Sequence, residues 1–121
     1  MSNDTKSPPI DWQHCLNITN QKASLAKEIL AMFMADLPEY ATKIHEHYSQ
    51  KEYESLHQMV HKLHGATCYC GMTRLKSLLS QFESALKAEQ TKTYDELYTA
   101  LDEEINAIHT YYRTHEFEDP A

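Results

Sequence analysis

Two glycines and four prolines in 121 residues leave this chain poor in the residues that build tight turns. That scarcity disfavours a sheet of many hairpins, whose turns draw on residues that accept positive φ, and it favours long helices. Basic residues are scarce too: 11 Lys and Arg against 18 Asp and Glu give a formal net charge of −7. Such a surface repels a phosphate backbone rather than releasing its counterions, which argues against nucleic acid as a partner. No run of about 18 apolar residues occurs, the length needed to span a bilayer as a helix. The N-terminal MSNDTKSPPI also lacks the basic-then-apolar order of a secretory signal. A soluble, cytoplasmic domain without direct membrane contact is therefore expected. Three cysteines, Cys15, Cys68 and Cys70, have neither the even count of a disulfide framework nor the paired spacing of a zinc site, so reduced thiols are expected.

What is present reads as a single helical domain. The length suits one core, and 41% hydrophobic with 24% charged residues is ordinary for a globular protein. Residues 1–9, polar and ending in Pro8-Pro9, read as a disordered leader or linker remnant; 10–115 form the domain; 116–121 read as a frayed tail. The stretch IDWQHCLN predicts a short helix. Leu25, Ile29, Met32 and Phe33 follow the three-four rhythm of a core-facing helix, with Asn20 or Ser24 as its cap. Met32, Phe33, Met34 and Met72 read as core or as a docking rim. Asp36-Leu37-Pro38-Glu39 predicts a break or bend and a restart carrying Tyr40, Ile44 and Tyr48. Ser49 to Glu52 matches a capping box, opening a third helix with Leu56, Met59, Val60, Leu63 and Thr67 on one face. Gly71 is expected to end it in a left-handed conformation, and Thr73 to cap a fourth helix with Leu75, Leu78, Leu79, Phe82 and Leu86. A second capping box, Thr93 to Glu96, opens the last helix with Leu97, Leu101, Ile105, Ile108 and Tyr112. Short connections make neighbours antiparallel. The expected architecture is all-α: an antiparallel four-helix bundle with a short extra N-terminal helix.

The third helix carries a second stripe beside its core face. At 100° per residue with Leu56 as zero, the apolar positions fall within about 60°, whereas His57, His61, His64 and Cys68 fall near 80° to 140°. Gly65, near 180°, lies one turn above His61 and strips the surface there of any side chain. A helix-interior glycine costs roughly 1 kcal/mol relative to alanine, so close approach of another molecule to His61 is one reason for it. Three readings follow from the residues. His61 is a boundary histidine and Gly65 an accident of packing; or the stripe binds metal; or His61 is a nucleophile that carries a phosphoryl group. Four ligands along one straight helix span about 16 Å and cannot all meet one ion. At most a pair can, and Gln81 and Glu83 of the next helix are the nearest candidates to join it.

The motif HKLHGATCYCG, with His61, Leu63, His64, Gly65, Ala66 and Gly71 in place, resembles the signature of histidine-containing phosphotransfer (HPt) domains. DWQ near the start, LAKEILAMFMADLPE and RLKSLLSQFESALK extend the likeness over residues 10 to 112, and they look like the C-terminal HPt module of BarA/GacS-type hybrid sensor kinases. The resemblance implies an HPt-like bundle in which His61 accepts a phosphoryl group from a receiver-domain aspartate and passes it to a response-regulator aspartate. It implies a carrier without turnover of its own, with no resident cofactor and Mg²⁺ brought by the partner receiver. Lys62 and His64 then offer positive charge; His64 stands where many members carry lysine, which makes that charge dependent on pH. Glu83 aligns with a position whose polar side chain hydrogen-bonds the imidazole, although the residues alone leave it equally a solvated helix glutamate. Lys62 and His57 read as readily as solvated surface, and Cys68 and Cys70 as small boundary or core positions. The alternative function is a phosphorylation-independent adaptor that docks receiver or kinase domains by a helical face. A complete histidine kinase is excluded by length and by the lack of a glycine-rich nucleotide loop.

Overall fold

The computed structural model describes residues 7–118. Five helices follow in order: α1 (Trp12–Ile18), α2 (Ala23–Ser49), α3 (Tyr53–Ala66), α4 (Thr73–Lys87) and α5 (Tyr94–Thr114). One-turn 3₁₀ segments, Thr67–Tyr69 and Thr91–Thr93, join α3 to α4 and α4 to α5. The described residues contain no strand. Helices α2 to α5 form the antiparallel four-helix bundle, each packed on its neighbours, and α1 lies across α2. No helix among the described residues is long and apolar enough to cross a membrane.

The core is a stack of large aliphatic side chains with Phe82 among them. Leu30, Leu37 and Ile44 of α2, Leu56, Val60 and Leu63 of α3, Leu75 and Leu79 of α4, and Leu101 and Ile108 of α5 are all buried to within 1%. Each such side chain contributes roughly 1.5–3 kcal/mol by leaving water, and the four stripes meet because every helix repeats its apolar residues at three-four spacing.

Several local expectations are corrected. The buried face of α2 is Ala23, Ala26, Leu30, Phe33, Met34, Leu37 and Ile44, whereas Leu25 and Met32 are 41% and 63% exposed. The packed face is thus rotated from the expected stripe and shares Phe33 with it. Pro38 neither breaks nor restarts α2, which runs unbroken through it. Buried Leu37 and Ile44 anchor the helix on both sides of the proline. Neither capping box forms. Ser49 is the last residue of α2, Lys51 turns the chain at φ 57°, and the Glu52 carboxylate pairs with His47 Nδ1 at 3.0 Å instead. The Thr93 hydroxyl donates to the Gln90 carbonyl at 2.8 Å, within the preceding turn. Asn20 and Ser24 do not cap α2, and α4 starts without a cap from Thr73.

Gly71 also departs from expectation, because its φ is not positive. It is buried where the N-terminal segment crosses the α3–α4 turn: its carbonyl accepts from the Asp11 N–H at 2.7 Å and its N–H donates to Cys15 Sγ at 3.1 Å. Asp11 caps α1 by accepting from the His14 N–H. At the other end of the chain, Phe117 packs against Trp12, and Trp12 Nε1 donates to the Glu118 carbonyl at 2.6 Å. Of the leader and tail segments expected at 1–9 and 116–121, residues 1–6 and 119–121 lie outside the described residues.

Candidate functional site

The short turn after α3 lays α4 back along it, so the flank of α3 next to the core faces the flank of α4 next to Phe82. Glu83 follows Phe82 and occupies that flank. Three imidazoles from successive turns of α3 converge on its carboxylate. His61 Nδ1 lies 2.8 Å from Oε2, His57 Nε2 lies 3.9 Å from the same oxygen, and His64 Nδ1 lies 3.4 Å from Oε1. The Glu83 side chain is only 14% exposed while that of His61 is 70% exposed. Glu83 Oε1 is buried and accepts no hydrogen bond from the described residues.

This arrangement sets the electronic state of the site. Burial alone pushes the Glu83 carboxyl up, but the hydrogen bond from His61 and the charges of His61, His64 and His57 together outweigh it and hold the carboxyl below its ordinary value. Glu83 is therefore an acceptor at neutral pH. A neutral imidazole with Nδ1 at 2.8 Å from an ionised carboxylate carries its proton on Nδ1, which leaves the Nε2 lone pair free on the exposed edge of the ring. The ring is oriented, and its outer nitrogen is open.

Gly65 is exposed, and a methyl group added there would meet nothing within 4 Å. The space beside His61 is thus open to solvent rather than filled by a neighbouring element. Lys62 is placed elsewhere: it lines a groove between α2 and α3 with Asp36, Glu39, Tyr40, Lys43 and Met59. The site therefore joins His57, His61, His64 and Glu83, with Gly65 beside them, and leaves Lys62 on the opposite flank. Gln81 bonds back to Ser77 on its own helix. Among the described residues no group of three or more His, Cys, Asp or Glu side chains is arranged to hold a metal ion.

Cys68 is exposed, whereas Cys15 and Cys70 are buried. Burial pushes the Cys15 thiol up and the Cys70 thiol to about 12, so both are neutral packing groups. What the residue pattern did not show is that the whole histidine stripe shares one acceptor. The i, i+4, i+7 spacing placed the rings on one flank, but the partner comes from a residue 22 positions beyond His61.

The comparisons with known proteins bear on the family and the fold. The family model described as Hpt domain matches residues 28–111. The chain is 37% identical over 100 residues to the signal transduction histidine-protein kinase BarA of Shigella flexneri, covering 80% of this chain and 11% of that protein. It is 35% identical over 99 residues to the sensor histidine kinase GacS of Pseudomonas protegens, covering 82% and 10%. The chain thus spans about a tenth of the length of the curated relatives it matches. Among solved structures, the HPT domain from the Hpt sensor hybrid histidine kinase from Shewanella superposes with a TM-score of 0.80 at 32% identity, covering 87% of this chain and 91% of that one. A family model that spans α3, its histidine stripe and the helices around it, together with a solved domain of the same architecture, shows that this chain belongs to the Hpt domain family.

Proposed function

We propose that this domain is a phosphoryl carrier of a two-component phosphorelay, with His61 as the residue that takes and gives the group. The His61 Nε2 lone pair attacks the phosphorus of a receiver-domain aspartyl phosphate. An N–P bond forms, the P–O bond breaks, and its electron pair returns to the aspartate as a free carboxylate. The ring keeps its Nδ1 proton, and Glu83 stabilises the positive charge that the ring then carries. Reversal onto the aspartate of a second receiver completes the relay, so the domain has no turnover of its own. Transfer through a loose transition state depends on in-line approach and charge stabilisation more than on proton chemistry. The receiver brings the aspartate and Mg²⁺; this chain brings an oriented ring on an open surface.

One observation carries the reading: His61 is held by Glu83 through Nδ1 while its outer edge stands exposed beside the bare surface of Gly65. Exposed Met32 and Leu25 on α2, seven residues apart and hence on one face, offer apolar area for a receiver to dock on. Receiver domains as partners and a cytoplasmic location, for a free-standing carrier or a module of a hybrid sensor kinase alike, follow from the same reading. Incubation with an aspartyl-phosphorylated receiver domain is expected to label the chain with an acid-labile, alkali-stable phosphate, and His61→Gln is expected to abolish the label. Labelling that survives in that variant overturns the assignment, and receiver binding without any label favours the adaptor role.

A further inference from the structure

We infer that a notch where α3, α4 and the turn before α5 meet receives an arginine side chain of the docked receiver domain, and so helps decide which receiver reaches His61. The inference rests on the reading of His61 as the carrier and adds a contact that the transfer step itself does not use. The notch holds about 460 Å³ and is lined by Tyr53, Glu54 and His57 of α3, Leu86 of α4, and Glu89 and Tyr94 beyond it. Its floor is apolar: Leu86 and Tyr94 are 7% and 3% exposed, and Tyr94 stands edge-on to Tyr53 with ring centroids 4.9 Å apart. The Tyr94 hydroxyl has no hydrogen-bond partner among the described residues, a costly state at that depth that an incoming N–H group relieves. Burial, and after it the charge of Glu89, push this phenol up, so it stays neutral and able to accept such a bond.

The rim supplies the charge. Glu54 and Glu89 are exposed and pair with no lysine or arginine among the described residues, and no lysine or arginine lines the notch. Carboxylates beside aromatic rings attract a cation through both its charge and the ring quadrupole. A guanidinium suits the notch better than an ammonium, because it is planar, stacks on rings, reaches two acceptors with one fork and holds its water less tightly. The position suits a receiver that comes to His61. Glu54 precedes His61 by seven residues, two turns, so both stand on one face of α3 about 10 Å apart along its axis. His57 lies between them and shares Glu83 Oε2 with His61, at 3.9 and 2.8 Å, which makes the notch and the phosphoryl-accepting ring one continuous surface. Even a transient interface of about 600 Å² a side covers a disc about 14 Å in radius, so a receiver centred on His61 also covers the notch. A net charge of −7 favours partners that present positive charge to this chain.

The test is the initial rate of label transfer from an aspartyl-phosphorylated receiver domain over a range of receiver concentrations at low salt. It compares the wild-type chain, the double variant Glu54→Gln with Glu89→Gln, and the charge reversal Glu54→Arg. Both glutamates are exposed, so the variants are expected to fold, and their helical circular dichroism checks it. The double variant is expected to raise the half-saturating receiver concentration about tenfold and to leave the saturated rate unchanged, because the notch binds and does not react. The difference should shrink in about 0.5 M salt. On the receiver side, each arginine and lysine is changed in turn to glutamate. One arginine variant is expected to lose about tenfold in half-saturation against the wild-type chain and to regain it against Glu54→Arg. Unchanged half-saturation in the double variant, a fall in the saturated rate alone, or rescue at a lysine or at no receiver position overturns the inference. His61→Gln, run in parallel, separates the two claims: a labelled His61→Gln removes the carrier reading and this one with it, whereas label confined to His61 with unaltered half-saturation removes the notch alone.

Discussion

The chain's two glycines divide its needs between them. At Gly71 a Cβ would stand 2.1 Å from the Asp11 carbonyl oxygen and 2.8 Å from Cys15 Sγ, and the nearest atom is backbone, which cannot swing aside. Gly71→Ala must therefore push the N-terminal segment off the α3–α4 turn and break the two hydrogen bonds that hold it there. A loss of about 3 kcal/mol is expected, read as a lower urea midpoint. Gly65 is the opposite case, because a Cβ there touches nothing. Gly65→Ala is expected to stabilise α3 by up to about 1 kcal/mol, since alanine is the better helix former. The same methyl group occupies the clearing beside His61, where a misplacement of about 1 Å is costly to in-line transfer, so transfer from a phosphorylated receiver is expected to slow about tenfold. A variant that melts higher and transfers as fast as wild type would show that the clearing has no part in docking. The stripe of His57, His61 and His64 and the odd glycine were legible in the sequence because a helix maps spacing directly onto direction. Glu83 as the partner of His61 was legible only through the family resemblance, and its service to all three rings was not, because spacing within one helix carries no information on what the next helix brings opposite.

At the scale of the helix, α2 shows how far periodicity reaches. Leu25, Ile29, Met32 and Phe33 make a regular stripe, yet only Phe33 of them is buried, and the packed face runs through Ala23, Ala26, Leu30, Phe33, Met34 and Leu37. A helix with apolar residues on two adjoining faces has one rhythm and two solutions, and periodicity alone does not choose between them. The capping signals failed for a related reason. Asn20, Gln21, Lys51 and Glu89 all adopt positive φ, so non-glycine residues turn the chain at the helix ends. Tertiary packing fixes where those turns fall and leaves Ser49 and Thr93 without the caps their spacing suggests. Pro38 is the remaining conflict. Its ring nitrogen cannot donate to the Met34 carbonyl, and an interior proline costs roughly 3 kcal/mol relative to alanine. Leu30, Leu37 and Ile44, buried to within 1%, contribute roughly 2 kcal/mol each. Their sum exceeds the proline's cost, which is why α2 continues. Pro38→Ala restores the missing donor at an exposed position and is expected to raise stability by about 2 kcal/mol. A loss of stability in the same urea titration would mean instead that the bundle requires the local geometry the proline imposes.

The whole molecule is closed by contacts that join distant parts of the chain, and these were the least legible. Arg74 of α4 reaches across to α5, donating to Glu104 Oε1 from Nε at 3.1 Å and from Nη2 at 2.7 Å, and its Nη1 donates to the Ser7 carbonyl at 3.1 Å. One guanidinium thus ties the N-terminal segment, α4 and α5 together. No local pattern marks it, because Arg74 and Glu104 look like ordinary helix-surface residues until the bundle closes; Glu104 is 5% exposed. Removing Arg74 takes two hydrogen bonds and the adjacent charge from a carboxylate at that depth, whereas replacing the pair on both sides by apolar groups removes the buried charge as well. Arg74 is partly exposed, so the effect is smaller than for a fully buried pair. Arg74→Met alone is expected to cost about 2–3 kcal/mol. Adding Glu104→Met should recover most of that, with a coupling energy of at least about 1 kcal/mol in the double-mutant cycle. Additive losses would show that the two side chains stabilise the fold independently, through their aliphatic packing. Because Glu83 and His61 lie on the other flank of α4 and α3, the recovered double variant should accept phosphoryl groups at the wild-type rate, which separates what holds the bundle closed from what its exposed histidine does.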